Sequence, residues 1–182
     1  MPNPKEGYIA WLTGLSGAGK STISDGLRER LTEQGRLVFL LDGDAVRMGL
    51  NADLGFSDED RAENIRRVAE VAALIGRSGS VVIVALISPL ARDRARARAI
   101  AEKSGVRFYE IHLAASLEVC EKRDPKGLYR RARAGEIPKF TGIDSAYEAP
   151  EHPDIALRTG EVTPAECLES LMAFLAAKEA TA

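Results

Sequence analysis

Cysteine is nearly missing from this chain: Cys120 and Cys167 are the only two in 182 residues. So few thiols do not make a disulfide scaffold, so a reducing, cytoplasmic setting is expected, with both cysteines as small apolar packing residues. A regulatory disulfide is the alternative. Excess charge is also missing, at −2 near neutral pH, so nothing draws the whole chain to nucleic acid. No apolar stretch approaches the roughly 20 residues of a membrane span. Met1-Pro-Asn-Pro-Lys-Glu6 lacks the charged-then-apolar layout of a secretory leader. Neither a nucleic acid nor a membrane is therefore expected as a partner. The two histidines, His112 and His152, are not paired with Cys, Asp or Glu at ligand spacing, and no zinc site is inferred. Aromatics are 5% of the chain, so a phenylalanine outside an apolar run needs a reason.

What the chain does have is a phosphate signature. Gly14, Leu15, Ser16, Gly17, Ala18, Gly19, Lys20 and Ser21, followed by Thr22, match G-x-x-x-x-G-K-[ST]. Glycines let backbone amides wrap an anion closely, and the following helix turns its positive end toward the phosphates. In that arrangement Lys20 reaches the β- and γ-phosphates of ATP, and the Ser21 hydroxyl is a ligand for Mg²⁺. The setting agrees. Tyr8 to Thr13 is an apolar, strand-like run, and Ile23, Leu27 and Leu31 share one face of a helix over Ser21–Glu33.

The rest alternates in the same way. Arg36–Leu41 is a second strand, ending at Asp42-Gly-Asp44, where Asp-Gly favours a turn. Asp58–Arg77 and Arg92–Ser104 read as helices, the second arginine-rich. Ser80–Ile87 is an uncharged β-branched run, the pattern of a parallel strand covered on both faces. Arg107–Leu113 is a further strand, Ser116–Arg123 a short helix and Ile155–Arg158 a weak strand. Thr163-Pro164 opens the last helix with a cap and an N1 proline. The expected fold is α/β, a three-layer P-loop sandwich with a mainly parallel five-stranded sheet, forming one domain over residues 1–182. Pro125–Pro153 breaks the alternation; it is basic, rich in glycine and proline, and reads as a mobile lid.

A P-loop alone does not separate kinases from GTPases or other ATPases. No guanine-reading Asn-Lys-x-Asp segment is present, and Asp124-Pro-Lys-Gly127, which fits D-x-x-G, comes too late in the chain. A short chain with a basic lid suits a small-molecule kinase, which must close over both substrates to exclude water.

The remaining motifs narrow the acceptor. They are Leu41-Asp-Gly-Asp-Ala-Val-Arg47, Gly49-Leu-Asn51, Asp53-Leu-Gly-Phe-Ser57, Arg61-Ala-Glu-Asn-Ile-Arg-Arg67, Ile87-Ser-Pro89, Cys120 through Tyr129, and Phe140-Thr-Gly-Ile143. In this order the chain closely resembles the adenylylsulfate kinase family from about Gly7 to the C-terminal helix. That family transfers the γ-phosphoryl of ATP to the 3′-hydroxyl of adenosine 5′-phosphosulfate (APS), giving ADP and the 3′-phosphorylated product, PAPS, in sulfate activation. The resemblance implies that Asp44 lies near Mg²⁺ and the acceptor hydroxyl, holding a metal-bound water or accepting the proton. It implies that Arg47, Arg61 and Lys126 meet the anionic groups of APS, that Phe56 and Phe140 sandwich its adenine, and that Asn64 and Ile87 touch it. It also implies a homodimer. Ser88 matches a serine for which the family is ascribed a phosphoserine intermediate; in-line transfer needs no such stage, and no base neighbours Ser88 in sequence, so a substrate contact is the favoured reading. Lys20, Asp44, Ser88 and Lys126 are the candidate catalytic set.

Ala45, Met48 and Leu90 depart from the family's usual asparagine, histidine and tyrosine. No cysteine-bearing N-terminal extension and no sulfurylase domain are read in the chain, so the kinase step alone is expected. A kinase for another small metabolite, or a catalytically silent nucleotide-binding module, are the competing readings.

Overall fold

The computed structural model describes residues 6–181. The one-domain reading and the N-terminal leader reading therefore extend, at Met1–Lys5 and Ala182, beyond the described residues. Five parallel strands form one sheet in the order β2-β3-β1-β4-β5. They are β1 (Tyr8–Thr13), β2 (Val38–Asp42), β3 (Val81–Ala85), β4 (Arg107–Leu113) and β5 (Ile155–Leu157). Every residue of β1 and β3 is buried. That is why both read as continuous apolar runs rather than alternating ones.

Alternation nevertheless decides the two faces, since successive side chains point opposite ways. Tyr8, Ala10 and Leu12 of β1 pack with Ile23, Leu27 and Leu31 of α1 (Lys20–Glu33) and Leu171 and Leu175 of α7 (Pro164–Ala180). Ile9 and Trp11 face the opposite layer. There they meet Val68 and Ala72 of α3 (Asp58–Gly76) and Ala97 and Ala101 of α4 (Ala91–Lys103). Helix, sheet and helix thus form three layers. Thr163 caps α7 in a full capping box with Glu166. Both cysteines are free and buried.

Two local readings change. Asp42-Gly-Asp44 is not a free turn: Asp42 caps a short helix, α2 (Gly43–Met48), accepting from the amides of Asp44 and Ala45. The Pro125–Pro153 stretch is not wholly irregular, because it contains α6 (Leu128–Arg133), which follows α5 (Leu117–Arg123). Arg94, within the arginine-rich α4, is buried at 3% exposure. No described helix is long and apolar enough to cross a membrane.

Candidate active site

The loop after β1 turns at glycines for steric reasons. Gly17 has φ +76°, and a Cβ there would sit 3.0 Å from the carbonyl oxygen of Cys120. Gly19, at φ +98°, is the N-cap of α1 and offers no side chain to its free amides. The first turn of α1 carries no acidic residue. The positive end of a 14-residue helix is therefore left open to an anion.

Lys20 folds back over the loop. Its ammonium donates to the carbonyls of Gly14 and Leu15, each at 2.8 Å. Burial lowers its pKa to about 8. Gly14 and Leu15 accordingly serve as the floor that seats Lys20. The cleft wall proper runs from Ser16 through Gly17, Ala18, Gly19, Lys20 and Ser21 to Thr22. This wall is one side of a cavity of about 1330 Å³. A pocket for one small ligand holds roughly 300–1,000 Å³, so there is room for two.

The opposite wall gathers the candidate acceptor residues: Asp44, Arg47, Phe56, Arg61, Asn64, Ile87, Ser88, Lys126 and Phe140 all line the same cavity. They come from α2, the loop that joins it to α3, α3 itself, the segment after β3, and the segment after α5. Parallel strands deliver Asp44 and Ser88 to it, since β2 pairs in register with β3 and both end on this side. Asp44 and Lys126 form an ion pair there, both more than half exposed.

Phe56 is 60% exposed, which no core role explains. The Arg47 guanidinium lies 4.4 Å from its ring centroid and that of Arg61 5.9 Å. Arg61 also clasps the two halves of the wall. Its Nε donates to the Phe56 carbonyl at 3.1 Å, Nη1 to the Thr141 hydroxyl at 2.9 Å and Nη2 to the Lys139 carbonyl at 2.7 Å. Burial, and then the charge of Arg61, hold Arg47 below the usual guanidinium range. Two neighbouring guanidinium cations make this a strongly anion-attracting wall. Phe140 is different from Phe56: it packs edge-on against the buried Tyr129, with centroids 5.1 Å apart. Asn64 is buried, and its Oδ1 accepts from Asn51 Nδ2 at 3.0 Å.

Ser88 is 2% exposed, and its Oγ accepts from Trp11 Nε1 at 3.0 Å. A carboxylate or imidazole partner is not among the hydrogen bonds described for it. The arrangement therefore supplies no base to make this hydroxyl a nucleophile. Ser21 is exposed on the first turn of α1. With Asp44 it offers hard oxygen donors of the kind Mg²⁺ takes alongside phosphate and water.

Some of the residues that line or brace the cavity were not legible in the motifs. Arg123 donates to the Gly17 carbonyl at 3.2 Å, and Tyr129 donates to the Ser16 carbonyl at 2.8 Å, so both brace the glycine loop. Both lie in the Cys120–Tyr129 run, where the chemistry pointed only to Lys126. Thr159 and Cys167 also line the cavity, and nothing in their sequence neighbourhood marks them. Arg131 and Arg133, by contrast, pair with Glu136 and Glu121 on the surface.

Comparison with known proteins agrees with the geometry. The family model for adenylylsulphate kinase matches residues 6–158. An adenylyl-sulfate kinase of Burkholderia ambifaria is 55% identical over 168 residues, covering 92% of each chain. The structure of a Mycobacterium tuberculosis APS kinase in complex with AMPPNP and APS superposes with a TM-score of 0.91. It is 48% identical over 94% of this chain and 99% of that one. A hexameric APS kinase from Thiobacillus denitrificans is more distant, with a TM-score of 0.74 and 33% identity over 98% of this chain but 31% of that one. With a P-loop joined to an arginine–phenylalanine wall and relatives matching nearly its whole length, the chain belongs to the adenylylsulphate kinase family.

Proposed function

We propose that this chain transfers the γ-phosphoryl of ATP to the 3′-hydroxyl of APS, giving ADP and PAPS, as a step of sulfate assimilation. The observation that carries the reading is the single cavity in which the glycine loop faces Phe56, Phe140, Arg47 and Arg61. An acceptor without a base would not need an exposed ring, and one without an anion would not need two stacked guanidinium groups.

Phosphoryl transfer asks the protein for positioning and charge stabilisation. Lys20 and the loop amides hold the triphosphate. Lys126 brings positive charge to the transferring group, and Asp44 orients or deprotonates the acceptor hydroxyl. Phe56 and Phe140 clamp the adenine, while Arg47 and Arg61 take the phosphosulfate. Asn64, Ile87 and Ser88 line the acceptor's seat. Mg²⁺, held by Ser21 and by Asp44 directly or through water, would neutralise charge on the β- and γ-phosphates. Residues 125–153 act as the lid of one kinase domain spanning 1–182, closing Lys126 over the cleft.

The chain works in the cytoplasm, a setting supported by two free, buried thiols. It works as a homodimer, for which the family resemblance is the support; light scattering of the purified chain checks this, and a hexameric mass would overturn it. An ADP-release assay with APS beside AMP and sugar acceptors tests the main reading. Mg²⁺-dependent ADP release with micromolar APS is expected. Turnover with a different acceptor only would overturn it.

A further inference from the structure

Ser88 has φ +47°, a conformation that costs a non-glycine residue energy. Pro89 follows and narrows the ordinary choices of Ser88 to extended backbone. Three side chains from two elements, β1 and α4, hold this turn. Trp11 Nε1 donates to Ser88 Oγ at 3.0 Å, and Thr13 Oγ1 donates to the Ile87 carbonyl at 2.6 Å. The third is Arg94 on α4, whose Nη1 donates to the Ser88 carbonyl at 2.8 Å in a buried setting.

Arg94 is anchored from behind. Its Nε donates to Glu110 Oε1 of β4 at 2.6 Å. The Glu110 amide donates to Asp154 Oδ2 at 2.7 Å, and that same carboxylate accepts from Arg98 Nη2 at 2.6 Å. A guanidinium is costly to bury and is kept only where paired. Packing α4 on the sheet does not require one, since Ala97 and Ala101 do that work further along the same helix. The side chain joins a carboxylate in the sheet to a carbonyl in the cleft wall, which also accepts a longer bond from Thr13 Oγ1 at 3.4 Å.

We propose that Arg94 is a positioning residue for the acceptor: anchored on Glu110, it holds the Ser88 carbonyl and so fixes the left-handed turn that presents Ile87 and Ser88 to APS. This rests on the kinase reading above. Without the bond, Ser88 relaxes toward ordinary φ and the wall it forms moves away from the acceptor.

Arg94→Lys tests this in the full chain. The ammonium keeps a charge beside Glu110 but lacks the fork that reaches both partners. KM for APS is expected to rise about tenfold, the size of one hydrogen bond from a charged donor, with kcat and the KM for ATP within about threefold. In a Ser88→Gly background, where positive φ is free, the same change should raise KM by no more than about twofold over Ser88→Gly alone. Should Arg94→Lys fold poorly, the double variant Arg94→Met with Glu110→Leu removes the whole pair and is expected to give the same rise. An unchanged KM for APS, or an equal rise in both Ser88 backgrounds, would overturn the inference while leaving the kinase reading intact. A wild-type chain inert toward APS would overturn both.

Discussion

Lys126 and Asp44, 82 residues apart in sequence, meet as an ion pair at the mouth of the cleft. Both are exposed, so the pair contributes little to stability and is available for rearrangement around a substrate. Replacing Lys126 with Ala, or Asp44 with Asn, is expected to lower kcat about 100-fold or more, the scale of removing one charge-stabilising or proton-handling group. The melting temperature should stay within about 2 °C of wild type. A kcat within about threefold of wild type for both variants would remove them from the chemistry.

Lys20 gives the reaction a pH dependence. Burial depresses its pKa to about 8, so the folded chain releases this proton before an unfolded chain does. Below pH 8 the ammonium is present and meets the triphosphate; as pH rises through 8 it is lost in the free enzyme. The measured kcat/KM for ATP should fall above pH 8, and Lys20→Ala should abolish ADP release. In the same window stability moves the other way. The unfolded state binds more protons between about 8 and 10.5, so chemical denaturation should show stability rising with pH there from this group. A flat kcat/KM profile from pH 7 to 9.5 would contradict the assignment.

The two phenylalanines should separate experimentally. Phe56 is mostly exposed, so Phe56→Ala is expected to raise KM for APS about 5- to 150-fold through lost stacking, leaving thermal stability unchanged. Phe140 packs on buried Tyr129, so Phe140→Ala should raise KM and also lower the melting temperature. Calorimetric titration of APS into each variant checks both. Undiminished APS affinity in the Phe56 variant would remove the adenine clamp.

The capping box of α7 tests the stability of the helix that brings Cys167 to the cavity. Thr163→Ala removes the acceptor for the Glu166 amide and one of the two donors to its carboxylate, leaving the Thr163 amide. The melting temperature is expected to drop by about 2–4 °C with kcat unchanged. A large loss of activity would mean that the start of α7 positions the cavity wall as well as stabilising the fold.

Much of the frame was legible along the chain. β1 runs over Tyr8–Thr13, as its apolar run suggests, and β4 over Arg107–Leu113, the bounds read along the chain. The glycine loop follows β1 because its chemistry is local. α2 was not legible: six residues are too few for periodicity, and Asp42-Gly43 carries turn chemistry that here caps a helix instead. Arg94 is one of several arginines along α4, and nothing in its sequence neighbourhood sets it apart. Only the approach of Glu110 from β4 gives it a reason to be buried.

Local covalent order decided where a phosphate can be cradled, which runs become strands and where α7 begins, because glycine φ freedom, β-branching and capping act over a few residues. Packing alone decided that Arg61 would clasp the Phe56 and Lys139–Thr141 segments, that Lys126 would reach Asp44, and that Trp11 and Arg94 would hold Ser88 in a costly turn. Those pairings join elements far apart in sequence. Their energies depend on burial and distance, which exist only once the sheet has brought the strand ends together.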